Sequence, residues 1–166
     1  MKLSGGNLIA RKNSMEVDYD AVYGTFPINS DLHYWEVKIL NFIDLNDIMI
    51  GVSSRASLEG RGRSFDKFYG WHATSARKLR PVTTSSRPEV GDYGSHCKIG
   101  DKIGVILQFK NGAAKLSFTL NNEFLGTCYS DMPAGNYWPQ CILYSEGSQI
   151  QLYPHAQLSK DIEDKL

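Results

Sequence analysis

The side chains that could perform chemistry are few and widely spaced along this chain. Paired ligands such as His-x-x-x-His or Cys-x-x-Cys place two metal-binding groups on one face of the backbone. Neither spacing occurs in the sequence. A metal site would therefore need remote ligands to converge in the fold. The residues in question are His33, His72, His96, His155, Cys97, Cys128 and Cys141.

Nucleophilic and phosphate-binding motifs are also missing. His96 and Cys97 are adjacent, so in an extended segment they point to opposite faces and cannot form a Cys–His pair. Residues 60–62 read Gly-Arg-Gly, but the Gly-Lys-Ser/Thr of a phosphate-binding loop does not follow. No Gly-x-Ser-x-Gly motif occurs. We expect no cofactor. Enzymatic activity would require catalytic residues that are distant in the sequence and come together only in the fold.

Carboxylates at Asp44, Asp47 and Asp131 stand where the chain is expected to turn. Aspartate favours turns because its side chain accepts hydrogen bonds from nearby backbone amides. Turn formation therefore explains these three residues without catalysis, although a glycosidase-type pair stays open at this point.

Length and composition indicate a single globular domain. The chain has 166 residues, of which 42% are hydrophobic and 22% charged, with zero formal net charge. Three cysteines without tight spacing argue against a disulfide framework. No apolar run is long enough for a membrane span, and the first residues lack the apolar core of a signal peptide. We expect a monomeric domain of the cytoplasm or nucleus, with no membrane partner.

Charge is nevertheless unevenly distributed. Residues 55–87 contain eight lysines and arginines against two acidic residues. Two interpretations stay open: a solvated surface, or a basic loop region that meets an acidic partner. Aromatic residues are interleaved with basic ones at 63–71, a pattern known from RNA binding. Phe68 and Trp71 more readily anchor that loop to a core, so no nucleic acid is expected.

Short β-strands follow one another along the chain. In residues 34–40, Trp35, Val37 and Ile39 alternate with polar neighbours, which predicts a half-buried strand. Residues 48–52 are continuously apolar, which predicts a strand buried on both faces. Further strands are predicted at residues 103–109, 115–120 and 123–129, with turns at Asn111-Gly112 and Asn121-Asn122, and at a last pair, 141–144 and 149–153, joined by residues 145–148.

The remaining segments contain little regular structure by pattern. The longest irregular stretch is 53–98, interrupted by residues 65–72, and long loops inside compact domains are usually functional. Residues 159–166 could form a short helix with Ser159 as its cap. Many short strands separated by turns predict an all-β fold, a sandwich or a closed barrel.

The order of these segments resembles the SPRY domain, the C-terminal part of B30.2 modules. The resemblance covers residues 7–155. Asn122 departs from the usual glycine, but asparagine also suits a left-handed turn. The matching motifs are Leu-His-Tyr-Trp-Glu-Val-Lys-Ile at 32–39, Ile-Gly-Val at 50–52, Phe-Asp-Lys-Phe-Tyr-Gly-Trp-His at 65–72, Gly-Asp-Lys-Ile-Gly-Val at 100–105, Leu-Ser-Phe-Thr-Leu-Asn-Asn-Glu-Phe-Leu-Gly at 116–126 and Tyr-Trp-Pro at 137–139.

The resemblance implies a bent β-sandwich of two antiparallel sheets, formed as one domain over residues 1–166. It also implies a non-catalytic module that recognises a peptide or protein surface through loops at one end of the sandwich. Such modules often present substrates to ubiquitin ligases or act as scaffolds in larger proteins. A sandwich suits that role because it holds variable loops on a rigid frame.

The resemblance places ligand contacts on three loops, 11–16, 55–68 and 144–147. Peptide-binding members have Pro and Trp where this chain has Ser14 and Ser145, so their specificity is not expected here. In the middle loop, anchors are chosen by residue type, because arginine and aromatic side chains favour binding hot spots. The candidate contacts are Lys12, Ser14, Glu16, Arg61, Arg63, Phe65, Tyr144, Ser145 and Glu146.

A glycan-binding sandwich is the alternative function. It would require an exposed tryptophan or tyrosine to stack against a sugar ring. Trp35, Trp71 and Trp138 all fall in or beside the core motifs, which predicts that they are buried.

Overall fold

The computed structural model describes residues 1–16, 18–54, 67–81 and 89–166. These residues form thirteen β-strands and one short helix. The elements are β1 (Lys2–Ser4), β2 (Ile9–Arg11), β3 (Asp20–Tyr23), β4 (Leu32–Asn41), β5 (Ile48–Ser53), β6 (Phe68–His72), β7 (Arg77–Leu79), β8 (Glu89–Asp92), β9 (Lys102–Lys110), β10 (Ala113–Leu120), β11 (Glu123–Pro133), β12 (Trp138–Leu143), β13 (Gln149–Tyr153) and α1 (Lys160–Glu163).

The strands form two antiparallel sheets. A seven-stranded sheet has the order β1-β2-β13-β4-β9-β10-β11, and a six-stranded sheet has the order β3-β12-β5-β6-β7-β8. Buried apolar residues of both sheets pack into one core between them. The predicted all-β sandwich is therefore confirmed.

Alternation along β4 explains how the sheets face each other. Trp35, Val37 and Ile39 are all buried, as the alternation predicted. On the other face of this strand, Glu36 forms an ion pair of 2.6 Å with Lys102 on the neighbouring strand β9. All six residues of β5 are buried, which confirms the strand predicted from its continuous apolar run.

Two tight turns set the register of the β9–β10–β11 meander. Asn111 and Gly112 have φ values of 54° and 76°, and Asn121 and Asn122 have values of 50° and 69°. Two successive positive φ values are typical of type I′ turns, whose twist matches that of the flanking strands. The asparagines and the glycine tolerate this left-handed backbone, as the sequence predicted.

Two predictions about strands need correction. Strands β12 and β13 do not pair with each other: β12 lies between β3 and β5, and β13 lies between β2 and β4. The residues between them cross from one sheet to the other. The stretch 53–98 is also less irregular than predicted, since it contributes the three neighbouring strands β6, β7 and β8.

The chain ends in the short helix predicted from residues 159–166. Ser159 occupies the N-cap position, although its hydroxyl makes no capping hydrogen bond. Ile162 is buried and attaches the helix to the domain. Among the described residues, no helix is long and apolar enough to cross a membrane.

Candidate functional site

Three connecting segments meet at one end of the sandwich. We call residues 12–16, 18–19, 43–47 and 144–148 the loop cluster. The backbone N–H of Gly147 donates to the carbonyl of Lys12 at 2.8 Å, and the N–H of Lys12 donates to the carbonyl of Ser148 at 3.0 Å. These bonds join two of the segments that the sequence proposed as ligand-contacting loops.

The carboxylate of Asp47 connects the third segment to the crossover between β12 and β13. Its Oδ2 accepts the backbone N–H groups of Ile43 and Asp44 at 2.5 and 2.7 Å. Its Oδ1 accepts the N–H of Ser145 at 3.1 Å, and its backbone carbonyl accepts the N–H of Tyr144 at 3.0 Å. Asp47 is fully buried, so these bonds hold both loops to one internal anchor.

Hydrogen bonding also sets the ionisation of this anchor. Burial alone would raise the pKa of Asp47, but hydrogen bonds from Ser145, Asp44 and Ile43 outweigh it and hold the pKa below the usual 3.8. The turn role predicted for Asp47 is correct, and the structure adds a link to residues about one hundred positions away.

Tyr144 lies at the surface of the loop cluster. Its ring packs against that of Tyr19, with 4.6 Å between the ring centroids and 38° between their planes. The Tyr144 side chain is half-buried, so part of this aromatic pair faces solvent. Aromatic pairs in such tilted or offset arrangements stabilise each other beyond the area that they bury.

Four more of the predicted contacts lie on the segments of the loop cluster. Ser14 accepts the backbone N–H of Glu16 through its Oγ at 3.2 Å, which closes a local turn. Glu16 and Glu146 are exposed, whereas Ser14 and Ser145 are half-buried. The backbone bonds of Lys12 to residues 147–148 thus bring the segment that contains Ser14 and Glu16 to the same end of the domain as Tyr144.

Lys12 has a different position from its predicted neighbours. Its side chain is fully buried, and its Nζ lies 3.4 Å from Asp20 Oδ2. A side chain without exposed area cannot contact a ligand directly. Lys12 therefore supports the loop cluster from beneath, through its backbone bonds and its ion pair.

The predicted contacts Arg61, Arg63 and Phe65 lie outside the described residues. The described residues that flank this segment, Ser54 and Lys67, are joined by a backbone hydrogen bond of 3.1 Å. Both flanking residues lie near Ser53, which pairs with the first residue of β12. Tyr144, in contrast, directly follows the last residue of β12. At ~3.3 Å per residue, those two ends of β12 are roughly 17 Å apart.

Exposed apolar side chains on the loop cluster were not identified from the sequence. Met15, Ile43 and Leu45 are 86%, 70% and 58% exposed. Ile43 and Leu45 stand in a segment that otherwise consists of turn-forming residues. Apolar residues at such positions are the signal that could have revealed them. Such residues mark interaction surfaces when polar groups surround them.

The described part of the loop cluster is acidic at its surface. Four carboxylates are exposed, and Lys12, its single basic residue, is buried. The exposed carboxylates belong to Glu16, Asp18, Asp44 and Glu146.

The candidate nucleophiles do not form a catalytic arrangement. Cys97, Cys128 and Cys141 are all free and buried, and burial raises the pKa of each thiol to about 12. A thiol with such a pKa is almost entirely protonated at neutral pH and is a poor nucleophile. Exposed His96 bonds instead to the carbonyl of Thr74 at 2.8 Å through Nδ1. Within the described ranges, no three His, Cys, Asp or Glu side chains are grouped as metal ligands would be.

Two of the three tryptophans are buried as the core motifs predicted. Trp35 is 5% exposed, Trp71 has no exposed area and Trp138 is half-buried. Trp35 and Trp71 therefore do not offer the open ring face that the glycan-binding alternative requires.

The architecture is a two-sheet antiparallel β-sandwich with the loop cluster at one end. The family model described as the SPRY domain matches residues 32–155. This chain therefore belongs to the SPRY domain family. SPRY domains are generally non-catalytic protein–protein interaction modules.

The individual relatives have low sequence identity to this chain. SPRY domain-containing protein 3 from Homo sapiens and that from Pongo abelii are each 24% identical over 163 residues, which is 96% of this chain. The chain spans 35% of the length of these two relatives.

Solved structures agree with the fold. A structure titled "Crystal structure of human SPRY domain" has a TM-score of 0.77 and 20% identity, and the alignment covers 95% of this chain and 96% of that one. The SPRY domain of human HERC1 has a TM-score of 0.69 and 19% identity, covering 84% and 85%. At these identities, the two structures support the sandwich architecture alone.

Proposed function

We propose that this SPRY domain binds a protein partner through the loop cluster, with a peptide segment of that partner as the direct ligand. One observation carries the proposal: exposed Ile43 and Leu45 stand on a loop that buried Asp47 holds in place. Exposed Met15 stands on the neighbouring segment, which the backbone of Lys12 joins to residues 147–148. Ordered apolar surface is costly to expose to water and favours burial in an interface.

The composition of the loop cluster also suggests the chemistry of the ligand. Four exposed carboxylates surround the apolar residues, so a complementary peptide would carry Lys or Arg beside apolar side chains. Tyr144 is the best anchor, because tyrosine supplies a large contact area at small entropic cost. Ser14, Glu16, Ser145 and Glu146 would form the polar rim around it.

The basic segment 55–87 supports a separate expectation. An acidic partner for that surface stays a prediction, as do contacts from Arg61, Arg63 and Phe65. Action as the substrate-recognition part of a ubiquitin ligase or as a scaffold, an intracellular location and a monomeric state are likewise proposals. The free cysteines agree with an intracellular location. The family's general role in protein interaction agrees with the ligase and scaffold roles.

A peptide-display selection would test the loop cluster. We expect the wild-type domain to enrich peptides that contain both basic and apolar residues. The double variant Tyr144→Ala/Glu146→Lys should bind those peptides at least tenfold more weakly, about 1.4 kcal/mol, because it loses an aromatic anchor and reverses one charge. Affinities of the enriched peptides would be measured by calorimetry.

The matched control is Asp131→Lys. Asp131 is also an exposed carboxylate, but it lies on β11 near Pro133, where the strand pairs with Ala113 at the opposite end of the sandwich. This control should keep wild-type affinity. Enrichment of acidic peptides, or equal losses in both variants, would contradict the proposal.

A further inference from the structure

A cleft of about 580 Å³ opens between the two sheets, along the side where β1 and β2 face β3 and β12. None of its lining residues belongs to the loop cluster. The proposed function does not use this cleft. Its volume is within the range of roughly 300–1,000 Å³ that is typical of small-molecule sites.

The cleft reaches from the surface to the core. Trp35, Val37 and Ile150 are buried residues of the inter-sheet core and also line the cleft. The large apolar side chains that line it and are exposed are Leu3, Leu8 and Phe26, with exposures of 44%, 39% and 78%. Three of the large apolar side chains exposed on the described surface therefore gather at one opening.

The lining of the cleft is poor in ionisable side chains. No Asp, Glu, Lys or Arg lines the cleft within the described part of the chain. A charged ligand would lose its hydration there without gaining a counter-ion. The lining therefore selects for a neutral occupant.

A few polar groups are available inside the cleft. The Tyr23 hydroxyl accepts a hydrogen bond from Gln140 Nε2 at 3.2 Å, and a phenol that accepts can also donate its proton. Burial raises the pKa of Tyr23 above 10.0, so this hydroxyl is neutral at neutral pH. An oxygen atom on an otherwise apolar molecule could accept a hydrogen bond from this hydroxyl.

We propose that the inter-sheet cleft is a binding site for a neutral, largely apolar small molecule with at most a few hydrogen-bonding atoms. A polypeptide segment fits this site less well than a small molecule. Between the two sheet faces, its backbone amides would enter an apolar space and lose their hydration there.

Two fluorescent probes that differ in charge test the proposal. N-phenyl-1-naphthylamine is neutral, and 8-anilinonaphthalene-1-sulfonate has the same ring system with an added anion. We expect saturable, one-to-one binding of the neutral probe, with quenching or shifting of tryptophan emission because Trp35 lines the cleft. The anionic probe should bind at least tenfold more weakly.

Variants then locate the binding site. Phe26→Ser changes an exposed residue, so the fold should persist while the neutral probe binds roughly fivefold more weakly, about 1 kcal/mol. Ala10→Leu would fill the interior of the cleft and should abolish binding. Ile99→Ser alters another exposed apolar residue, 56% exposed and outside the lining, and should leave affinity unchanged.

Several results would overturn the proposal. These are no saturable binding of the neutral probe, equal affinity for both probes, equal losses in Phe26→Ser and Ile99→Ser, or binding of apolar peptides without binding of the neutral probe. The double variant Tyr144→Ala/Glu146→Lys should bind the neutral probe normally, so this proposal and the loop-cluster proposal fail independently.

Discussion

Replacing Asp47 with alanine is expected to lower the free energy of unfolding by roughly 3–5 kcal/mol and to release the loop cluster from the sandwich. The variant leaves the N–H groups of Ile43, Asp44 and Ser145 without their acceptor. A donor that loses its partner and stays shielded from water costs about 1–3 kcal/mol. Part of this cost is recovered where the freed loops reach water.

The charge of Asp47 adds a pH signature to the same prediction. Its pKa is lower in the folded protein than the unfolded value near 3.8, so the folded state favours the ionised form. The resulting stabilisation is complete above the unfolded pKa and is lost as the pH falls through the folded pKa. The stability difference between wild type and Asp47→Asn should therefore be constant near neutral pH and shrink below about pH 4.

Urea unfolding followed by circular dichroism would measure these differences. Asp44→Ala is the matched control, because Asp44 is an exposed carboxylate in the same loop whose Oδ1 bonds only to the backbone and side chain of Asn46 among the contacts described. We expect it to cost less than about 1 kcal/mol. Comparable losses in the Asp44 and Asp47 variants would show that Asp47 is not the anchor.

The Asp47→Ala variant is also expected to bind its partner more weakly. Asp47 has no exposed area, so it positions the ligand-facing residues and does not itself contact a ligand. Asp47→Ala should weaken the peptides selected by the wild-type domain even where the sandwich remains folded, as judged by its near-ultraviolet spectrum. Unchanged peptide affinity in a folded Asp47→Ala domain would show that the loop cluster is not the binding site.

Much of the fold is encoded in local sequence patterns. The alternation of Trp35, Val37 and Ile39 follows from the two-residue period of a strand, and the fully apolar β5 follows from burial on both faces. Asn111-Gly112 predicts a turn because few other residues accept two left-handed positions. Each of these features depends on residues close together in the chain, so each is visible without a structure.

The candidate site depends on contacts between distant residues and was only partly predictable. A turn role for Asp47 is local, but its bond to Ser145 spans ninety-eight positions and has no sequence pattern. Lysine is usually a surface residue, yet Lys12 is buried, with an ion pair to Asp20 and backbone hydrogen bonds to the loop at 147–148. The crossover between β12 and β13 was mistaken for a hairpin because a short turn of Ser, Glu and Gly is compatible with both.

The Ile-Gly-Val motif leads to the second large prediction. Gly51 on β5 stands opposite Gly70 on β6. A Cβ atom at position 51 would overlap the carbonyl oxygen of Tyr69 and lie 2.6 Å from the Cα of Gly70. Both obstacles are backbone atoms, so no side chain can rotate away to relieve the overlap, and the two strands would have to separate.

Gly51→Ala is therefore expected to destabilise the domain by about 3 kcal/mol, the upper range for overpacking in a core. For a domain of this size, that loss corresponds to a fall in Tm of roughly 6–12 °C. Gly135→Ala is the control, because nothing lies within 4 Å of a Cβ at that position and its φ is not in the left-handed region. Calorimetry should find its Tm within about 2 °C of wild type. Equal Tm values for the two alanine variants would mean that β5 and β6 can separate at little cost, and that the glycine of this motif is not required by their close approach.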